Sequence, residues 1–255
     1  VINRIRSKNE LNEAAKSYRS GKYPEAEAHA RKALLLDPNS KIAPAFIARS
    51  IHAQYRPGGE EEENKALATR AIAAYKEILQ KDPSNPEAYR AVVALLRALN
   101  QTNELRQFIT NKANDGKATA TERAEAYTVL ASQDWDCSFQ VTESAETKKE
   151  LPDGKFQYVK PTDGTKFQQA KDCAQRGMQE IESAIGFDPN SETAWSYKTN
   201  LLLEKAKLAE MDGNADQAKQ LNAQAEEALA KTKDLNRIAE EKKAAAATPT
   251  PSPAK

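Results

Sequence analysis

Two histidines, two cysteines and one cluster of acids are the residues in this 255-residue chain whose types invite a chemical reading. His29 and His52 stand far apart, each in an alanine-rich stretch, so a histidine general base has no partner close by in sequence. No G-x-S-x-G, no H-E-x-x-H and no glycine loop able to cradle a phosphate occurs. The expectation is a chain that is not an enzyme. Asp134, Asp136, Asp153 and Asp163 gather, with Glu143, in one polar and turn-rich stretch. Folded loops that collect carboxylates can hold calcium. D-W-D lacks the glycine and closing glutamate of an EF-hand loop, so solvated acids are the main expectation and calcium the alternative. No other cofactor is expected.

Cys137 and Cys173 lie on either side of that stretch and are the only cysteines. With two scattered histidines they do not make a zinc motif. A bridge between them would staple a long loop to the helix after it, worth roughly 3–4 kcal/mol by the loss of chain entropy in the unfolded state. Such a bridge implies an oxidising compartment. The alternative is a pair of buried free thiols.

The elements that must position these residues are announced by the segment from Gly21 to Ser40, G-K-Y-P-E-A-E-A-H-A-R-K-A-L-L-L-D-P-N-S. It reads as one helix with its punctuation. Gly21 ends the preceding helix, and Pro24 fits a first helical turn, where its missing N–H costs nothing. Ala26, Ala30 and Ala33 form a flat small-residue face. Asp37-Pro38 stops the helix, because the residue before proline is pushed out of the α region. The pattern recurs. Ala26, Ala33 and Pro38 are spaced seven then five, as are Ala71, Ile78 and Pro83, and Gly177, Ala184 and Pro189. Ala218 and Ala225 repeat the seven, with Gly213 five before Ala218 as Gly21 is before Ala26. D-P-N-S, D-P-S-N and D-P-N-S recur at 37–40, 82–85 and 188–191. Repetition of this kind predicts a solenoid of helix pairs.

These residues resemble the tetratricopeptide repeat (TPR) family, whose unit is two antiparallel helices with small residues at fixed positions and a closing proline. Ala14, Tyr18, Gly21, Tyr23, Ala26, Ala33 and Pro38 match in the first copy; Ala48, Ala71, Tyr75 and Pro83 in the second; Ala184, Pro189, Trp195, Gly213, Ala218 and Ala225 in the last two. The resemblance implies an all-α, right-handed superhelical solenoid of about five TPR-like pairs over residues 8–236, with a long loop or hairpin inserted in the fourth pair. Against the family's spacing, 56–66 and 134–165 are insertions. Phe156, Tyr158 and Val159 beside Asp153-Gly154 predict a short strand or hairpin in the second. Helix A of the fourth pair is expected over 119–133, residues 1–7 as an arm, and 237–255 as a low-complexity Ala/Thr/Pro tail.

The resemblance implies a binding scaffold whose helix A lines a concave groove. The transferred groove positions include Tyr18, Arg19, Arg49, His52, Arg90 and Arg97. Four arginines would make this half of the groove basic and suited to an acidic peptide or a terminal carboxylate; the alternative is a solvated face. The family's carboxylate-clamp pattern of asparagines and lysines is absent. Lys+Arg (38) and Asp+Glu (37) nearly cancel, which argues against a dedicated nucleic-acid binder, and no run of eighteen apolar residues could span a membrane.

The expected partner is protein, with further copies of the chain first among the candidates, since an uncapped array end that stacks head to tail grows into a filament. The assembly residues would be Val1, Ile2 and Ile5 in the arm and Thr248, Pro249, Pro251 and Pro253 in the tail, a proline-rich strand suited to a neighbour's groove. The start at Val1, the cysteine pair and the Thr/Ser-Pro tail, with Thr248, Thr250 and Ser252 as O-glycan candidates, favour an exported protein. The other functional expectation is a monomeric adaptor, periplasmic or cytoplasmic, holding an acidic peptide in its groove.

Overall fold

The computed structural model describes residues 2–247, with backbone alone for 246 and 247. Val1, Thr248, Pro249, Pro251 and Pro253, four of them in the tail and one in the arm of the assembly expectation, lie outside the described residues. The chain divides into two compact units, Val1–Phe108 and Ile109–Lys255.

The first unit contains α1 (Ile2–Arg19), α2 (Tyr23–Leu36), α3 (Ala43–Gln54), α4 (Glu62–Lys81) and α5 (Pro86–Ala98), and α6 (Thr102–Asn114) runs across its end. α1 packs on α2, α2 on α3, α3 on α4 and α4 on α5, and α1 also touches α3. The alanine faces lie in these contacts: Ala14, Ala26, Ala30, Ala33, Ala48 and Ala71 are fully buried. Small side chains let helix backbones approach closely at the low entropy cost of alanine.

The punctuation of the sequence is a structural repeat. Asp37, Asp82 and Asp188 cap their helices with nearly the same backbone, φ −136°, −137° and −135°, and each N–H donates 2.9 Å to the carbonyl four residues back. Two residues beyond each proline, Ser40, Asn85 and Ser191 accept from the backbone N–H of Ala43, Ala88 and Ala194 at 3.2, 3.0 and 3.2 Å. A side-chain oxygen there satisfies an otherwise orphaned donor of the next helix. A second kind of turn also repeats. Gly21 (φ 73°), Asn100 (φ 54°) and Gly213 (φ 75°) are left-handed. After each, the next N–H reaches back to Ser17, Leu96 or Ala209 at 2.9, 3.0 and 2.9 Å. This is the closing bond that a left-handed residue allows at a helix C-terminus.

The loop at 55–61 is tied by one side chain. Asn64, buried near the start of α4, accepts from the Arg56 N–H at 2.8 Å and donates to the carbonyls of Arg56 and Gly59 at 2.7 and 3.0 Å. Glu27 ties three helices: it accepts from Arg31 on α2, Arg70 on α4 and Gln54 on α3.

The second unit contains α7 (Ala120–Thr142), β1 (Lys148–Glu150), β2 (Phe156–Tyr158), α8 (Gly164–Phe187), α9 (Glu192–Met211) and α10 (Ala215–Ala247). α7 packs on α8 and α9, α8 on α9, and α9 on α10. The core between them is built on Ala131, Met178, Ile181, Leu201, Leu202 and Ala225. Gly177 marks the closest approach: a Cβ there would stand 2.7 Å from Leu201 Cδ2 and 3.2 Å from Asp134 Cβ. The strands form an antiparallel hairpin with Lys149 opposite Gln157, and Gly154 turns it at φ 78°.

The chain is all-helical apart from this hairpin among the described residues. The differences from expectation are ones of extent. Residues 2–7, expected as an arm, are the first turns of α1, held where Ser7 donates to the Ala33 carbonyl at 2.9 Å. Helix A of the fourth pair continues from 133 to 142, so the first part of the supposed inserted loop is helix, while the following helix starts at Gly164, close to the expected end of the insertion. No glycine or proline occurs between 117 and 151 to stop it. α10 likewise continues past 236 to Ala247, over the start of the expected tail.

Candidate functional site

On the first unit the expected groove residues meet two that were not expected as site residues. α1 supplies Tyr18, α3 Arg49 and His52, α4 Tyr75, and α5 Glu87 and Arg90. The Arg49 fork donates from Nε and Nη2 to the two carboxylate oxygens of Glu87. This pair raises the guanidinium and lowers the Glu87 carboxyl, with Arg90 adding to the second effect. Tyr75 and Tyr18 both lie within the field of Arg49. His52 meets the Tyr75 ring edge-on, centroids 5.8 Å apart, with Nδ1 3.4 Å from the phenol oxygen. Burial lowers the pKa of His52 and, with the Glu87 charge, pushes the Tyr75 phenol up to about 12.

A cavity of about 580 Å³ opens beside this group. Its walls include Lys41, Pro44, Ala45, Tyr75, Ile78 and Lys81, and Glu87 reaches into it. Lys41 and Lys81 form no ion pair among the described residues. The cavity therefore combines an apolar wall, two free ammonium groups and two carboxylates, Glu87 paired with Arg49 and Asp82 accepting from the Asn85 amide. The site is less basic than four groove arginines would make it, because Glu87 neutralises Arg49. Arg19, Arg90 and Arg97 are exposed without ion pairs among the described residues, and no hydrogen bond joins Arg19 or Arg97 to the Tyr75 group. Tyr75 had been read only as a repeat-motif residue. Glu87, in the first turn of a helix after Pro86, carried only the ordinary signal of a helix start.

Cys137 on α7 and Cys173 on α8 are disulfide-bonded, Cα atoms 6.1 Å apart. The bridge joins two helices rather than a loop to a helix, because α7 continues beyond Cys137. The acids of the calcium alternative are dispersed. Asp134 is buried and paired with Arg176 at 3.0 Å, which corrects its reading as a solvated acid. Asp136 accepts from Gln140 at 2.9 Å. Asp153 pairs with Lys155 at 3.2 Å, and Asp163 caps α8 through the Thr165 N–H at 2.8 Å. Among the described residues no three His, Cys, Asp or Glu side chains converge on a point where a metal could sit, and no helix is long and apolar enough to cross a membrane.

The second unit holds a buried charged network. Glu204, 1% exposed on α9, accepts from Thr142 Oγ1 and Lys207 Nζ at 2.5 Å each. Lys207 also donates to Glu143 at 2.6 Å, and Glu143 accepts from Lys148 and Tyr158 at 2.5 and 2.9 Å. Desolvation opposes the Glu143 charge, but the bonds from Lys148, Lys207 and Tyr158 prevail and bring its pKa down to about 2. Burial and the Glu143 bond raise the Tyr158 phenol. The sequence signal for Glu204 was its place between Leu201 and Leu208 on one helical stripe.

Helices joined in sequence, α1 to α5 in the first unit and α7 to α10 in the second, packed in succession and closed by recurring caps, define a helical-hairpin architecture within each unit. No family model matches the sequence, and no curated protein matches it. Solved structures similar to it include "MamA 41-end from Desulfovibrio magneticus RS-1", 14% identical, TM-score 0.44, covering 91% of this chain and 96% of that one. "MamA RS-1 ArsTM double mutant" aligns at 14% identity and TM-score 0.43, over 92% and 97% of the two chains. "Crystal structure of MamA protein" aligns at 14% and 0.38, over 96% and 98%. The fold is read from the chain's own helices and not from these remote likenesses.

Proposed function

We propose that this chain is a non-catalytic scaffold of about five TPR-like helix pairs that binds protein through the cavity face of its first unit. The observation that supports it is the open cavity flanked by Tyr75, Ile78, Lys41 and Lys81, with Arg90 free nearby. Apolar wall and unpaired cations together suit a peptide carrying a hydrophobic side chain next to acidic groups or a terminal carboxylate. Calorimetric titration with short acidic peptides tests this. Binding should weaken about tenfold in Lys81→Glu and in Arg90→Glu, as expected for loss of one charge-assisted contact. Equal binding of acidic and basic peptides would end the proposal.

A second reading, self-association, is favoured by one observation. Ile2, Ile5 and Leu35 are 70%, 55% and 81% exposed near one end of the first hairpin, which Arg4 and Asp37 bring together at 3.9 Å. Exposed aliphatic side chains at an array end invite a second copy. Sedimentation of the parent against Ile2→Glu/Ile5→Glu decides it, with association lost in the variant. The disulfide supports an oxidising, exported setting for either reading; alkylation mass spectrometry of native material showing two free thiols would oppose it.

A further inference from the structure

Beside the buried network of the second unit lies a separate pocket of about 290 Å³ that the reading above does not use. Its walls come from four elements: Trp135 and Phe139 of α7, Tyr158 of β2, Leu203, Lys207 and Glu210 of α9, and Asn222 of α10. We propose that this pocket is a second binding site, taking an arginine side chain presented by a partner protein.

The aromatic rings are the first reason. Trp135 and Phe139 pack with centroids 4.8 Å apart, and Lys207 Nζ stands 5.2 Å from the centroids of both Phe139 and Tyr158. A wall of aromatic rings favours cations through their negative faces. The resident ammonium adds no net charge to be repelled, because Lys207 is held between Glu143 and Glu204.

The uncompensated charge is Glu210. It is exposed, lines the pocket and forms no ion pair or side-chain hydrogen bond among the described residues. Its field reaches the Tyr158 phenol across the pocket. The side-chain amides of Asn200 and Asn222 also line the pocket without a hydrogen bond among the described residues, and an amide can both donate and accept. Leu203, 40% exposed, adds an apolar surface.

Arginine fits this set better than lysine. Its flat guanidinium stacks on aromatic faces and forks onto a carboxylate, whereas a compact ammonium beside Lys207 would have to stay hydrated. The hairpin carrying Tyr158 supplies one wall, so the inserted strands have a use that the repeats alone do not provide. The proposal stands independently of the cavity on the first unit, which lies on other residues.

The test uses the full chain carrying Trp195→Phe, so that Trp135 is the sole indole, titrated with acetyl-Ala-Arg-Ala-amide and its lysine and citrulline counterparts. A saturable change in fluorescence with the arginine peptide is expected. Lysine should bind about fivefold more weakly, and neutral citrulline should not bind measurably. Glu210→Gln, at an exposed position, should weaken arginine binding about tenfold, and Leu203→Lys should abolish it. Arg49→Ala should leave it unchanged, which separates this pocket from the first unit. No signal, equal binding of citrulline, or full affinity in Glu210→Gln would overturn the proposal. Self-association that the arginine peptide reverses and Glu210→Gln abolishes would support the pocket and name a second copy as the partner; self-association unaffected by the peptide but lost in Glu210→Gln would overturn it.

Discussion

Glu204 shows how far a single side chain can depart from a hydropathy pattern. It occupies a core position between Leu201 and Leu208, and its charge is met by Lys207, Thr142 and, at 3.5 Å, Ser138. Removing one member of such a network strands the others without solvent. Glu204→Ala is expected to cost roughly 3–5 kcal/mol in urea unfolding, and Glu204→Gln less, because an amide oxygen still accepts from Thr142. A sequence that reads apolar stripes places a leucine there; only the network explains the acid. Acid titration tests this network through Glu143, and the far end of α7 through Glu122. Glu122 is lowered to about 2, chiefly by Lys112 and the Thr119 backbone N–H, and Glu143 to about 2 despite its desolvation. Both folded values lie below the usual 4.5. The stability these groups add is therefore full above about pH 4.5 and lost as the pH falls towards 2. Circular dichroism should show Glu143→Gln flattening this acid dependence; an unchanged curve would contradict the assignment.

At the scale of the elements, the Asp-Pro stops were legible because proline fixes where a helix cannot continue, and the same cap geometry appears at Asp37, Asp82 and Asp188. The third left-handed turn was not legible, because asparagine stands at Asn100 where Gly21 and Gly213 stand elsewhere. Asn100→Gly should be neutral or slightly stabilising, and Asn100→Val should cost about 1–3 kcal/mol, since a β-branched residue is strained at positive φ. The extra length of α7 was hidden by counting against the family spacing, although the glycine- and proline-free run from 117 to 151 was in view. That length places Cys137 on a helix facing the one that carries Cys173. Reduction of that bridge, 36 residues across, should lower stability by about 3–4 kcal/mol in the loop-entropy model, read as a drop in the denaturation midpoint of the second unit. Equal midpoints before and after reduction would show the bridge to be idle. Gly177→Val should cost about 1–3 kcal/mol through overpacking against Leu201.

For the whole molecule, the helical class and its repeated hairpin punctuation followed from spacing alone. Of the residues expected to line a groove, Tyr18, Arg49 and His52 are grouped, but the pairing of Arg49 with Glu87 joins residues 38 apart in sequence and cancels a charge that the arginine pattern had counted as free. The surface proposed for a partner is therefore the cavity with Lys41 and Lys81 beside Tyr75. The most direct measurement of the central claim is hydrogen exchange on the full chain with and without a saturating acidic peptide. Protection should concentrate at residues 41–46, 75–82 and 85–91, the backbone around the cavity, and should fall away in Lys81→Glu. Protection confined to other segments, or none at peptide concentrations that saturate binding, would contradict the assignment of this face as the protein-binding surface.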